Sequence, residues 1–185
     1  CNNNTDCFVE CIGQKSCYNS TINSPNNPLY NCTILYQGDN ACYYADINWL
    51  QGANNSLLCR YRDRCSGTPY PPPIDDNTPY AINCEQNNEC SGTTMKCPKH
   101  APCIVKCNGY ESCWSSIIYC PISSECNVEC TGAYSCEWTL IYWSEDPDHA
   151  NLVCPDEENN CRRTKEPQII DSKTTNIWND TSQTF

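Results

Sequence analysis

Cysteine recurs along this chain at a fixed period, and no other feature of the sequence restricts its fold as much. Four cysteines reappear 23 residues further on, because Cys97, Cys103, Cys107 and Cys113 are matched by Cys120, Cys126, Cys130 and Cys136. The first four cysteines, at positions 1, 7, 11 and 17, have the same spacing. In all three copies the third cysteine begins the motif C-x-G-x-x-S-C. A period of this length is typical of repeat architectures.

The remaining cysteines extend this frame to seven units, which cover residues 1–165. The units begin near residues 1, 26, 49, 74, 97, 120 and 143. Their fourth cysteine position is always filled, by Cys17, Cys42, Cys65, Cys90, Cys113, Cys136 and Cys161. The residue two before the third position is always aliphatic: Val9, Ile34, Leu57, Ile82, Val105, Val128 and Leu152. Because alternate residues of a strand face the same side, these columns predict a common interior.

We therefore expect an all-β, disulfide-rich fold, a β-solenoid-like stack of about seven coils that lie about 4.8 Å apart. A string of small independent disulfide knots is the alternative. Pro69 and the prolines at 71–73 lie where the period lengthens to 25 residues. We interpret this stretch as an enlarged corner, with a linker between two domains as the other interpretation.

The 20 cysteines in 185 residues place the protein in an oxidising, extracellular setting, secreted or on a cell surface. Each unit contains an even number of cysteines, which favours bridges inside a coil. The predicted pairs are Cys59 with Cys65, Cys84 with Cys90, Cys154 with Cys161, and Cys32 with Cys42. Each unit with four cysteines leaves three pairings open. A bridge that closes so short a loop contributes about 2 to 3 kcal/mol.

The sequence offers no catalytic or metal-binding constellation, so we predict neither an enzyme nor a metal or cofactor. There are two histidines and no C-x-x-C pair, which argues against zinc. No G-x-S-x-G motif occurs, and no offset carries acidic residues in successive units as a pair of catalytic carboxylates would. We interpret the segment around His149 as a solvated acidic loop. Calcium at residues 156–158 is a minor alternative, which lacks spaced oxygen ligands.

Charge and hydropathy exclude two further classes of partner. A net charge of -11 and an isoelectric point near 4.4 argue against binding to nucleic acid or to an anionic membrane. No apolar run approaches the roughly 20 residues of a membrane-spanning helix. Since the chain opens at Cys1 without Met, we expect that a secretory leader has been removed.

Five N-x-[ST] sequons predict N-linked glycans, at Asn3, Asn19, Asn31, Asn54 and Asn179. Their number is close to chance for this composition, so only their location is informative. Asn31 and Asn54 share one offset directly before the second cysteine position, where strand alternation turns a side chain outward. They are the strongest candidates.

The full repeat, C-x5-C-x3-C-x-G-x-x-S-C-x4-I, resembles the cysteine-rich repeat glycoproteins on the surfaces of microbial eukaryotes. The resemblance covers about nine tenths of the chain. It implies an extracellular, glycosylated protein with a structural or adhesive role.

The two ends of the array predict self-association. The chain begins inside its first coil, and the Cys-free tail 166–185 contains Ile169, Ile170, Ile177 and Trp178. We expect this tail to add a strand to a neighbouring copy, with a disordered terminus as the alternative. The leading hypothesis is a non-enzymatic structural subunit of an extracellular fibre or coat that assembles head to tail. The other is a monomeric secreted recognition module, such as a lectin, adhesin or inhibitor, that uses Tyr18, Tyr43 and Trp114.

Overall fold

The computed structural model describes residues 5–38, 41, 45–50, 55–60, 67–68, 70–143, 147–162 and 164–169, without the side chains of residues 59, 60, 157, 158 and 165–169. The strands of this part are β1 Cys7–Ile12, β2 Thr21–Asn23, β3 Cys32–Gln37, β4 Asp46–Asn48, β5 Ser56–Arg60, β6 Tyr80–Cys84, β7 Thr94–Lys96, β8 Cys103–Cys107, β9 Ile117–Tyr119, β10 Cys126–Cys130, β11 Leu140–Trp143, β12 Ala150–Val153 and β13 Lys165–Ile169. Among these described residues, helical structure is limited to a 3-10 turn, Pro147–His149, and a short helix α1, Glu157–Asn160. None of the described helices is long and apolar enough to cross a membrane.

Strands one repeat apart pair in parallel, as the periodic sequence requires. One ladder runs β1-β3-β5 and another β6-β8-β10-β12, while β2-β4 and β7-β9-β11-β13 form the second strands of the coils. Val105 pairs with Ile82 on one side and with Val128 on the other. The predicted all-β solenoid is therefore confirmed: it winds through about five turns, and all seven repeat units contribute a strand to the first set of ladders.

The interior is formed by the aliphatic and cysteine columns. Ile82, Val105 and Val128 are fully buried, and so are Met95 and Ile118 in the second set of strands. Burial alternates along β8 and β10, because successive side chains of a strand point to opposite faces. The stack thus replaces one large core by narrow columns of small apolar groups and disulfides.

The glycine of the C-x-G-x-x-S-C motif allows successive coils to approach closely. A Cβ atom at Gly132 would overlap the carbonyl oxygen of Gly109, and one at Gly109 would overlap the carbonyl of Gln86. The amide of Gly132 donates to the carbonyl of Cys107 at 3.2 Å. Neither glycine needs a left-handed backbone, so the lack of a side chain is what the site requires.

Every described disulfide with both partners visible lies within a single coil. The bridges are Cys11–Cys17, Cys84–Cys90, Cys97–Cys103, Cys107–Cys113, Cys120–Cys126, Cys130–Cys136 and Cys154–Cys161, with Cα atoms 5.6 to 6.1 Å apart. The predicted pairs Cys84–Cys90 and Cys154–Cys161 are among them. The fifth and sixth units contain all four cysteines, and in each of them the first cysteine bonds to the second and the third to the fourth. This pairing resolves the alternatives that spacing left open.

The predicted bridge between Cys32 and Cys42 is not formed, because Cys32 is a buried free thiol. Cys32 occupies the second cysteine position, whose bonding partner in the complete coils is the first position. The second unit has no cysteine there. Cys42 and Cys65 lie outside the described residues, as does the side chain of Cys59, so the Cys59–Cys65 pair remains a prediction.

The first position of the second unit is Ser24, two residues before the Asn26 that the sequence frame assigns. The amide of Ser24 donates to the carbonyl of Asn48 at 3.1 Å, just as the amide of Cys97 donates to Tyr119 at 2.9 Å. Ser24 is buried and Asn26 is exposed. The two additional residues of this unit therefore follow its first position rather than precede it.

The Pro-rich stretch lies where the described ladders and the buried core divide. One hydrophobic cluster contains the interior of β1, β3 and β4, and a second contains that of β6 to β11. At this point Pro71 and Pro73 are buried, and the hydroxyl of Tyr80 donates to the carbonyl of Pro71 at 2.8 Å. The amide of Gly67 still donates to Ser91 in the next coil at 2.7 Å. The Pro-rich stretch is thus packed against the coils that contain β6 to β11.

Candidate functional site at the open ends of the stack

Each end of the described stack terminates in edge strands. β12 and β13 are the last strands of their sheets, and β1 and β2 are the first. The outer side of an edge strand presents N–H and C=O groups that can pair with another chain. Both ends are therefore candidates for an interaction between proteins.

At the C-terminal end the aliphatic column is open to solvent. Leu152 pairs with Val128 in the parallel ladder, and the two side chains belong to one column. Val128 is 0% exposed, whereas Leu152 is 38% exposed. The last coil thus presents an apolar surface that an additional coil would cover.

The N-terminal end has corresponding apolar exposure. Val9 is only partly buried, while its pairing partner Ile34 is 0% exposed. Phe8 and Ile12 are 61% and 57% exposed, but strand alternation places them on the outer face of β1, opposite Thr33 and Gln37. In the described part of the first coil, the column side chain left partly open is therefore Val9.

The registers of the two ends are compatible. Cys126 pairs with Ala150 and Val128 with Leu152 at one end, and the same column positions are Cys7 and Val9 at the other. A second copy could place its Val9 opposite Leu152 with no change of register. Asn151 already donates a side-chain hydrogen bond of 2.5 Å to Asn127 along the axis. Such contacts between equivalent residues show how one coil is matched to the next.

The beginning of the Cys-free tail is a strand of the chain's own solenoid. β13 pairs in parallel with β11, and Ile169 lies opposite Trp143 after a register shift. The prediction that the tail adds a strand to a neighbouring copy stays a prediction, while residues 165–169 pair within the stack of the chain itself. The physical reason is that the last coil needs a second strand beside β11, and the tail supplies it. Ile170, Ile177 and Trp178 lie outside the described residues.

A buried column of hydroxyl groups was missed by the sequence reasoning. It lies three residues after the fourth cysteine position and includes Thr93, Ser116, Thr139 and Thr164. Thr139 donates to the carbonyl of Cys113 at 2.7 Å, and Thr164 donates to that of Cys136 at 2.7 Å. Each bond joins a coil to the preceding one. The recurrence of Ser or Thr at this offset was the available signal.

Two of the five sequons lie on described surface. Asn19 and Asn31 are exposed, and Asn19 has a positive φ of 53° in the turn after Cys17. Asn31 immediately precedes β3, where the second coil begins its first strand. Asn3, Asn54 and Asn179 lie outside the described residues.

The acidic segments near the C-terminus have structural roles. Asp156 caps helix α1, where its carboxylate accepts the amide of Asn159 at 3.3 Å. His149 ends the 3-10 turn. Lys106 and Glu129 occupy the same outward column in successive units. The Nζ atom of Lys106 lies 3.6 Å from a carboxylate oxygen of Glu129, so these two positions carry opposite charges and not a pair of carboxylates.

Sulfur atoms of successive coils come close together without forming a metal site. The sulfur atoms of Cys107, Cys130 and Cys136 lie within 4.8 Å of one another. All three belong to disulfides, Cys107 with Cys113 and Cys130 with Cys136. A cysteine binds a metal ion as a free thiolate, and these sulfur atoms are in disulfides. Their proximity therefore results from the stacking of the bridges.

The aromatic residues assigned to the recognition hypothesis are on the surface where they are described. Tyr18 is 44% exposed and Trp114 is 40% exposed, while Tyr43 lies outside the described residues. Tyr119 in β9 and Tyr142 in β11 lie on the outer face of these paired strands, where their rings stack with centroids 4.8 Å apart.

Comparison of the chain with models of known protein families, with curated proteins and with solved structures found no match.

Proposed function

We propose that this protein is a non-enzymatic structural subunit of an extracellular glycoprotein fibre or coat, in which copies assemble head to tail through the ends of the solenoid. The observation that carries the proposal is the exposure of Leu152. Its column partner Val128 is completely buried, whereas Leu152, in the last described strand of this ladder, is 38% exposed.

Such a contact has a clear source of stability. Burying a large apolar side chain contributes about 1.5 to 3 kcal/mol when the side chain starts fully exposed. Leu152 at one end and Val9 at the other, which occupy the same column, would each supply part of that amount. Each ladder hydrogen bond adds about 0.5 to 1.5 kcal/mol. Because the two ends differ, the contact is heterologous, and copies that stack along the axis of the solenoid form an open filament rather than a ring.

The extracellular part of the proposal is supported by the disulfides and by the exposure of Asn31. The described bridges, which lie in five of the seven units, are stable in an oxidising compartment. A glycan on Asn31 would project from the second coil, away from the open edge of the last one.

The test is sedimentation velocity over a range of protein concentrations, together with electron microscopy of the purified glycoprotein. The parent should form filaments whose axial rise is about 24 to 34 Å, from five turns to seven repeat units at about 4.8 Å each. Leu152→Glu should remain a discrete species of 21.0 kDa plus glycan, because it places a charge at the contact. The matched control is Leu29→Glu, since Leu29 is 82% exposed in a loop of the second unit. Filaments of Leu152→Glu as abundant as those of the parent would refute end-to-end assembly.

The exposed aromatic side chains favour a second candidate, a secreted recognition module. Trp114 is 40% exposed and Tyr110 is 45% exposed, in a bend of the fifth unit. A parent protein that sediments as a single 21.0 kDa species plus glycan at high concentration would support this function instead.

A further inference from the structure

The bends of the fifth and sixth units form a surface of aromatic rings and carboxylates. We call it the aromatic-acidic corner and define it as Tyr110, Glu111, Trp114, Tyr134 and Glu137. All five follow the third cysteine of the C-x-G-x-x-S-C motif, Cys107 in one unit and Cys130 in the next. The corner lies on the side of the solenoid, so it is independent of the end-to-end contact.

Two rings of the corner, those of Tyr110 and Tyr134, are in contact with each other and lie near its carboxylates. The rings of Tyr110 and Tyr134 pack edge to face, with centroids 5.8 Å apart and an interplanar angle of 85°. A hydrogen bond to the Glu111 carboxylate raises the pKa of Tyr110, and the charge of Glu137 acts in the same direction. Two carboxylates from adjacent coils thus lie near one pair of rings.

An equivalent bend in the first unit shows which group this geometry accommodates. Lys15 and Tyr18 occupy there the positions of Glu111 and Trp114 in the fifth unit. The Lys15 ammonium lies 5.6 Å from the centroid of the Tyr18 ring, within the range of a cation–π contact. The fifth unit keeps a ring, now Trp, but carries a carboxylate in place of the ammonium. Its bend therefore offers the ring and a counter-charge to a cation from elsewhere.

The backbone of the corner is held in place. Glu111 and Tyr134 have the same left-handed conformation, with φ of 52° and 55°. The amide of Trp114 donates to the carbonyl of Glu111 at 3.2 Å. Disulfides close both bends, Cys107 with Cys113 and Cys130 with Cys136. A surface fixed in this way loses little conformational entropy when it binds a partner.

We propose that the aromatic-acidic corner binds an arginine side chain that projects from a partner protein. A guanidinium group is planar, stacks on Trp and Tyr rings, and donates paired hydrogen bonds to carboxylates. The corner presents both kinds of group. Its rings are 40 to 45% exposed at Trp114 and Tyr110, so they form an open platform rather than a cage around a small free cation. The net charge of -11 also attracts a basic partner.

The experiment uses the full chain and a short probe peptide, acetyl-Gly-Arg-Gly-Arg-Gly-amide, titrated by calorimetry at low ionic strength. The matched probe replaces arginine by citrulline, which has nearly the same shape and no charge. The arginine peptide should bind at least about fivefold more tightly than the citrulline peptide. Glu111→Gln and Trp114→Leu should each weaken the arginine peptide about fivefold or more, whereas Trp114→Phe should keep most of its affinity because a ring remains.

The control variant is Glu125→Gln, which makes the same change of charge at an exposed site in a different bend. It should bind the peptide within about twofold of the parent. Equal weakening by Glu125→Gln and Glu111→Gln would show that only the net charge matters and would overturn the proposal. Equal affinities for the arginine and the citrulline peptide would also overturn the proposal. So would the finding that a neutral oligosaccharide binds the protein and that its binding depends on Trp114. A lysine peptide that binds as tightly as the arginine peptide would overturn the assignment to guanidinium.

Discussion

Gly132 lies directly over Gly109, so closely that a Cβ atom on Gly132 would overlap the carbonyl oxygen of Gly109. This contact explains why the motif requires glycine at a position whose backbone conformation other residues could adopt. We predict that Gly132→Ala lowers the free energy of unfolding by about 1 to 3 kcal/mol, the usual cost of overpacking against a rigid neighbour. The midpoint of urea unfolding measures the change.

The control for this prediction is Gly92→Ala. Gly92 has a positive φ of 66°, but a Cβ there would meet nothing nearer than 3.7 Å. Its cost should be limited to backbone strain, about 1 kcal/mol. If Gly132→Ala were no more destabilising than Gly92→Ala, the close approach of the coils would not be the reason for the glycine.

Ser24 stands where a complete coil has its first cysteine, and Cys32 stands at the second position with a free thiol. We predict that Ser24→Cys forms a bridge to Cys32, because Cys97 and Cys103 do so from the equivalent positions. The new bridge should add about 2 to 3 kcal/mol to the free energy of unfolding. Thiol titration of the denatured protein and the shift of the unfolding midpoint measure both effects.

Asn26→Cys is the matched control, since Asn26 is the position that cysteine spacing alone assigns. Its side chain is exposed, whereas Ser24 is buried. We expect no bridge to Cys32 in this variant. A bridge from position 26 and none from position 24 would show that the two additional residues precede the first position after all.

A left-handed residue recurs two positions after the fourth cysteine. Gly67 and Gly92 occupy this place in two units, with φ of 71° and 66°, and Ser115 occupies it in another with φ of 55°. We predict that Ser115→Gly raises the free energy of unfolding by up to about 1 kcal/mol, because glycine adopts this conformation without steric cost. Thermal unfolding measures the gain, and Gly92→Ser should show a loss of similar size. A fall in stability for Ser115→Gly would contradict the assignment.

Two tyrosines beside the Pro-rich stretch predict a loss of stability at alkaline pH. Burial, with a smaller effect of the Glu89 charge, raises the pKa of Tyr70 from 10.0 to about 12. Burial also raises the pKa of Tyr80. The unfolded chain releases these protons first, so the stability present below pH 10 declines as the pH rises from 10 towards 12. The slope is at most about 1.4 kcal/mol per pH unit for each group.

Tyr70→Phe should make this decline less steep, because phenylalanine has no phenol group whose pKa differs between the folded and the unfolded chain. Urea unfolding at half-unit steps from pH 9 to pH 12 measures the slope. An unchanged slope in Tyr70→Phe would show that this phenol titrates alike in both states. Tyr80→Phe provides a second measurement of the same kind at a neighbouring buried ring.

The repeat frame predicted the solenoid because period and strand alternation are local properties that parallel stacking copies from coil to coil. Spacing alone was sufficient to place Val105 over Val128 and to favour bridges within each coil. The hydroxyl column with Thr139 was equally periodic, but its bond to the carbonyl of Cys113 spans two coils and needs their distance. The sequence showed the recurrence without showing the partner.

What the sequence determined by itself is the arrangement that repeats: the coil length, the inward columns and the even number of cysteines in each unit. The tertiary structure decided what does not repeat. It selected the pairing of four cysteines in a coil, assigned Ser24 rather than Asn26 to the interior, left Cys32 without a bridge, and used Ile169 to complete the last coil. Those outcomes depend on which groups come within bonding distance of each other in the second unit, with its two additional residues, and in the Cys-free tail. Such distances between coils exist only in the folded stack.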